Sequence, residues 1–256
     1  MRHRAGQGVK QSFMANLINS TIKSLTGLVS RIDDAELAYL PERGPLIIVS
    51  NHINFFEVPA ILTRILPREA TGFAKAETWD NPIFAYVANL WGAIPLRRGE
   101  ADMRALKLAL EALDRGFIVG IAPEGTRSGD GRLLRGISGV VVLALKSGAP
   151  LLPIVHYGAE KLWKNLRRLR RTDFHVRVGS PFYLRSGEER VSREVRQEMV
   201  DEIMYQIAAL LPPAYRGYYG SIEMATERYL HFPPGSQSNL LRVSDSRHPN
   251  TSPEMP

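Results

Sequence analysis

The chain has 256 residues, 44% of them hydrophobic, with 33 Lys and Arg against 26 Asp and Glu, for a formal net charge of +7. That apolar content supports a real core and excludes global disorder, and the length allows one large domain or two small ones. There is no cysteine, which excludes disulfides, a thiol nucleophile and a thiolate metal site, and fits a reducing compartment.

The positive charge attracts polyanions without naming which. A nucleic-acid partner is set aside, because no basic run is interleaved with aromatics as a base-stacking platform requires. No segment reaches the ~18 uninterrupted apolar residues of a membrane span. Arg2, His3, Arg4 and Lys10 are followed by no compact apolar region or small-residue cleavage site, so no secretory signal is read. These features predict a peripheral protein on the cytoplasmic face of a membrane.

From Phe13 to Val29, the apolar residues Phe13, Met14, Leu17, Ile18, Ile22, Leu25, Leu28 and Val29 recur at steps of three and four, a single helical stripe. Two placements satisfy it: against the core, or in the headgroup layer of a bilayer. Residues 1–35 are therefore read as an amphipathic membrane-interface element, and 36–231 as the main domain. Strand-like runs at 45–50, 71–75, 92–96, 117–122, 151–155 and 174–178 then alternate with helical patterns near 58–66, 81–90, 101–115, 137–147 and 159–170. This alternation predicts an α/β fold, a mostly parallel central sheet covered by helices on both faces. Residues 191–211 predict a further helix, stopped by Pro212 and Pro213. From 232 to 256, proline, glycine, serine and asparagine predict a disordered tail.

Chemistry gathers where apolar runs end. Ser50-Asn51-His52-Ile53-Asn54-Phe55-Phe56-Glu57 follows Pro45–Val49. On a continuous helix His52 and Glu57 diverge by about 140°. They meet only if residues 53–56 turn and Glu57 opens a helix, and Pro59 fits a first helical turn. An ionised Glu57 would fix the imidazole tautomer and stabilise the imidazolium formed on proton abstraction. A second cluster, Pro123-Glu124-Gly125-Thr126-Arg127-Ser128, follows the run 117–122. There Gly125 allows a tight backbone approach, and the Arg127 fork suits phosphate oxygens. Arg97 and Arg98 end a third apolar run; standing alone they would read as surface charge. A base, a carboxylate and an arginine at strand carboxyl ends suggest acyl transfer to an anionic acceptor.

Together these segments resemble the glycerolipid acyltransferase family, the bacterial 1-acylglycerol-3-phosphate acyltransferases, over about residues 40–185. The blocks that match are Asn51-His52 with the acid at Glu57, Gly92 with Arg97 or Arg98, Pro123 to Ser128, and the strand Leu152-Pro153-Ile154-Val155. The sequence departs from the family pattern at Glu57 (usually aspartate), at His156 (commonly a second proline) and at Ile137-Ser138 (often lysine and proline).

The resemblance implies that His52 acts as base and Glu57 orients it. Arg127, with Arg97 or Arg98, would hold the acceptor phosphate, and Asn51, Glu124, Gly125, Thr126 and Ser128 would support the site. It implies a lysophospholipid acceptor, foremost 1-acylglycerol-3-phosphate giving phosphatidic acid, and acyl-CoA or acyl carrier protein as donor, with no cofactor and no metal. The alternatives are another lipid acceptor on the same fold, or a catalytically weakened lipid-binding protein. Finally, Lys161 to Arg171 carries Leu162, Leu166 and Leu169 on one face and Lys164, Arg167, Arg168 and Arg171 on another. A solvated face is the plain reading; contact with an anionic membrane surface, with Trp163 at headgroup level, is the reading favoured here.

Overall fold

The computed structural model describes residues 13–99, 101–187 and 191–243. In chain order the elements are α1 (Phe13–Val29), β1 (Ser30–Asp33), β2 (Leu46–Val49), α2 (Glu57–Ile65), β3 (Ala70–Lys75), α3 (Pro82–Leu90), β4 (Ile94–Leu96), α4 (Met103–Asp114), β5 (Ile118–Ile121), α5 (Gly139–Ser147), β6 (Leu151–Tyr157), α6 (Leu162–Leu166), β7 (Thr172–Val178), β8 (Tyr183–Leu184), α7 (Arg193–Leu210) and β9 (Leu230–His231). Seven strands form one sheet in the order β1-β7-β6-β2-β5-β3-β4. All neighbours are parallel except β6 and β7.

The central strands are apolar on both faces because both faces are covered. In β2, Ile47 and Val49 pack with Ala109 and Ala112 of α4, Val140 and Leu143 of α5, and Ile203 and Ile207 of α7. Its alternate residues, Leu46 and Ile48, pack with Ala60 of α2, Phe174 of β7, and Leu37 and Leu40 before β2. Local signals fix the helix ends. Asn81 accepts from the Ile83 and Phe84 N–H groups ahead of α3, Asp102 and Ser192 cap α4 and α7, and left-handed Gly148 ends α5.

Four expectations need correction. First, β1 was not foreseen: it pairs with β7, so a boundary at residue 35 would cut the sheet from its own edge strand. Second, of the two placements open to α1, the one with its apolar stripe against the core does not hold: the helix packs inward mainly through Ala15, Asn19 and Thr26, with Ile18, Ile22 and Val29 part-buried. Asn19 accepts from Trp91 Nε1 at 3.0 Å, Thr26 Oγ1 accepts from Arg64 at 3.1 Å, and Ala15 is buried. Phe13, Met14, Leu17, Leu25 and Leu28 face solvent, Phe13 at 84% exposure. Third, the helix expected over 159–170 is α-helical only from Leu162 to Leu166. The Asn165 carbonyl accepts from both Arg168 and Arg170, and Leu169 turns to φ +53°, which ends the helix and feeds β7.

Fourth, the predicted disordered tail is ordered from 232 to 243. Its polar groups serve Gln206, a buried polar residue of α7, while Glu202 one turn earlier is served by residues 226–229 just ahead of the tail. Gln206 Oε1 accepts from the Asn239 backbone and side-chain amides at 2.9 Å, and Asn239 Oδ1 accepts from Ser180 N–H at 2.7 Å. Glu202 accepts from Thr226 Oγ1 and from the Arg228 and Tyr229 N–H groups at 2.7–3.0 Å. Residues 244–256, like 1–12 of the N-terminal element, lie outside the described residues. Replacing Glu202 with alanine strands these donors and should cost about 3 kcal/mol in urea unfolding, whereas Glu198→Ala on the exposed side should stay within about 0.5 kcal/mol.

Candidate active site

The parallel register brings the carboxyl ends of β2, β5 and β6 together: Val49 pairs with Ile121 on one side and Pro153 on the other. Asn51 and His52 leave β2 at this edge. Residues 53–56 then turn, and Glu57 opens α2. Asn54 builds the turn: its side-chain oxygen accepts from Phe56 N–H at 2.8 Å, its amide donates to the Ala159 carbonyl, and its backbone N–H donates to Glu57 Oε2 at 3.0 Å. The turn folds the carboxylate back so that Glu57 Oε1 hydrogen-bonds His52 Nδ1. With Nδ1 engaged, the ring presents Nε2, which has no protein partner among the described residues. Burial pushes the Glu57 carboxyl up, but the hydrogen bond with His52 and the neighbouring histidines outweigh it and hold the group below the usual glutamate range.

The second cluster docks on the first by backbone. Ser128 N–H donates to the His52 carbonyl at 2.8 Å and Gly129 N–H to the Ile53 carbonyl at 3.0 Å. Arg127 is thereby held one residue from the His52 main chain, exposed and free of ion pairs among the described residues. Thr126 is exposed beside it. Gly125 has φ +68°, a left-handed conformation that favours glycine, while a Cβ there would meet only the end of the exposed Ile137 side chain. Glu124 faces inward: Oε1 accepts from His52 N–H at 2.7 Å and Oε2 from Leu134 N–H at 2.8 Å. Its pKa is pushed up to about 7, because burial outweighs those two N–H groups and the Glu57 charge adds to it.

The structure thus joins His52, Glu57, Glu124, Asn51 and Ser128 directly, with Arg127 adjacent. Arg97 and Arg98 follow β4, three strands from β2 in the sheet order and about 14 Å across it at ~4.8 Å per strand. They share the edge but are exposed, and only the Arg97 backbone is tied down, by the Asp102 carboxylate at 3.0 Å. Sequence reasoning missed Asn54, although an Asx residue ahead of a helix is a readable turn signal. It noted His156 without a role. That residue is fully buried on β6 behind the site. Among the described residues no group of His, Asp and Glu is arranged to hold a metal ion.

A profile of the acyltransferase family matches residues 31–157, which span all these groups. A 1-acyl-sn-glycerol-3-phosphate acyltransferase of Bacillus subtilis is 30% identical over 146 residues, covering 57% of this chain and 70% of the relative. The chain belongs to the acyltransferase family. Other family members match shorter stretches. A chloroplastic 1-acyl-sn-glycerol-3-phosphate acyltransferase of Brassica napus is 30% identical over 143 residues, 54% of this chain and 41% of that protein. A lyso-ornithine lipid O-acyltransferase of Pseudomonas aeruginosa is 33% identical over 114 residues, 44% of this chain and 43% of the other. This acyltransferase-family chain therefore spans less than half the length of those two relatives. Its fold is shared with the crystal structure of the 1-acyl-sn-glycerophosphate acyltransferase PlsC of Thermotoga maritima: TM-score 0.53, 22% identity, 76% of this chain and 80% of that one.

The Glu124 pKa predicts a pH signature. With a folded value of about 7, above the unfolded value of about 4.3, its contribution is full below the unfolded pKa and lost as pH rises through the folded one. Relative to Glu124→Gln, the wild type should lose about 3 kcal/mol of stability between pH ~4.5 and ~7.5, read by urea unfolding at a series of pH values.

Proposed function

We propose that the protein moves a fatty acyl group from acyl-CoA or acyl carrier protein to the hydroxyl of a lysophospholipid, foremost 1-acylglycerol-3-phosphate, giving phosphatidic acid. One observation carries this reading: Glu57 occupies Nδ1 of His52 and leaves Nε2 open. Nε2 takes the acceptor's hydroxyl proton as its oxygen attacks the thioester carbonyl. The tetrahedral adduct then expels the thiolate, which recovers the proton from the imidazolium. Glu57, held ionised, stabilises that imidazolium. Arg127 is the cation nearest the base along the chain's contacts and suits the acceptor phosphate; Arg97 and Arg98 stand further along the same edge.

A second acceptor class has specific support, since one relative is named for a lyso-ornithine lipid, whose headgroup carries no phosphate. The exposed Arg127 fork suits a carboxylate as well as a phosphate. His52→Ala should lower acyl transfer by about 10²–10⁴-fold with unchanged circular dichroism. Assayed by mass spectrometry against lysophosphatidic acid and lyso-ornithine lipid, the preferred acceptor decides between the readings, and near-normal turnover by the variant refutes both.

The reaction surface is proposed to be an anionic bilayer. No helix among the described residues is long and apolar enough to cross one, but α1 turns its apolar stripe outward. Trp163 is half-exposed and stacks near Phe55, at 5.8 Å between rings, on the loop that carries His52 and Glu57. Leu169 is 95% exposed between arginines. Replacing both Leu17 and Leu25 with aspartate should abolish sedimentation with phosphatidylglycerol vesicles. Reversing charge at Arg167 and Arg168 should weaken it roughly tenfold or more at low salt, at ~1 kcal/mol per cation near the surface.

A further inference from the structure

Among the described residues, one buried side-chain polar atom has no hydrogen-bond partner: Nδ1 of His156. The ring is wholly buried, stacked on Phe174 with centroids 5.5 Å apart. Its other nitrogen, Nε2, lies 2.8 Å from the Asn51 carbonyl oxygen. A carbonyl only accepts, so Nε2 carries the hydrogen and Nδ1 is the bare nitrogen. A second proton on Nδ1 would bury both a charge and an unmet donor; burial accordingly pushes the ring's pKa down. The ionisable groups around it are Glu57, His52 and Glu160, none within hydrogen-bond reach of Nδ1.

Asn51 returns the contact. Its side-chain amide donates to the His156 carbonyl at 2.8 Å, and its Oδ1 accepts from His156 N–H at 3.0 Å. The Asn51 carbonyl that His156 holds belongs to the same planar peptide as the His52 N–H, which Glu124 holds at 2.7 Å. The peptide from which the base projects is therefore gripped at both ends, by an imidazole on β6 and by a carboxylate just past β5. The pattern of the resembling family places proline at this point. Proline would supply neither the N–H that Asn51 accepts nor the ring donor, so this grip belongs to the histidine.

We propose that His156 is a positioning residue for His52: its ring and backbone clasp Asn51 and fix the peptide that aims the base at the acceptor hydroxyl. This rests on His52 being the base. The test compares His156→Phe, which keeps the stack on Phe174 and removes the donor, with His156→Gln, which restores a donor. Turnover is followed with lysophosphatidic acid and acyl-CoA, the His52 Nδ1–H resonance by proton NMR, and the ring nitrogens of the wild type by 15N NMR.

His156→Phe should lower kcat roughly 10- to 100-fold at unchanged KM and shift the His52 Nδ1–H signal, and His156→Gln should recover most of kcat. A purely structural role would instead lower the melting temperature and leave kcat of the folded enzyme alone. Full kcat with an unmoved His52 resonance in His156→Phe overturns the proposal. If that variant does not fold, the wild-type spectrum decides: a protonated Nε2 and bare Nδ1 support the clasp, and a protonated Nδ1 overturns it. Failure of the base reading shows separately, as turnover surviving in His52→Ala.

Discussion

The hydrogen bond from the His52 amide to Glu124 joins the two halves of the site. It spans 72 residues of sequence, and it exists only because β2 and β5 run parallel with Val49 level with Ile121. A slip of one residue would turn every side chain of β2 to the opposite face, exchanging Ile47 and Val49 for Leu46 and Ile48 between two differently shaped core layers. The packing that fixes the register therefore also fixes the distance between His52 and the loop carrying Arg127. The geometry of the site is a by-product of core geometry.

Much of this was readable before any coordinates. The His52 to Glu57 spacing admits contact only through a turn that ends at a helix start, and the structure has that turn. The alternation of strands and helices was legible because apolar runs in a doubly covered sheet are nearly continuous, and proline and glycine mark their ends. The failures share a cause. The core placement of the α1 stripe fails because α1 turns Asn19 and Thr26 to the protein, where Trp91 and Arg64 meet them. Compositional reasoning assumes that polar segments are solvated, yet Ser238 and Asn239 bring their polar groups to Gln206. Both errors concern polar contacts between distant segments, which carry no periodicity. The role proposed for His156 escapes the sequence for the same reason: it depends on which carbonyl the ring meets.

The seat of α1 also differs in kind from that of the other helices. It is tied by side-chain hydrogen bonds to Arg64 of α2 and to Trp91, and Arg171 donates to the carbonyls of Gly27 in its last turn and Ser30 at the start of β1 at 2.6 and 2.7 Å. The basic turn after α6 and the end of α1 are thereby one mechanical unit. The exposed apolar residues of α1 and the arginines after α6 are carried together.

The sequence separations within the site have a consequence for how competence arises. The dyad closes over five residues, a local contact of the sort that forms early at small entropic cost. Its two supports come from 72 and 105 residues downstream. A nascent chain lacking β6 would own both members of the dyad and the Glu124 support, but not the contacts of Asn51 with His156. The last strand of the trio, made long after His52 itself, completes the hold on a pairing that closes locally.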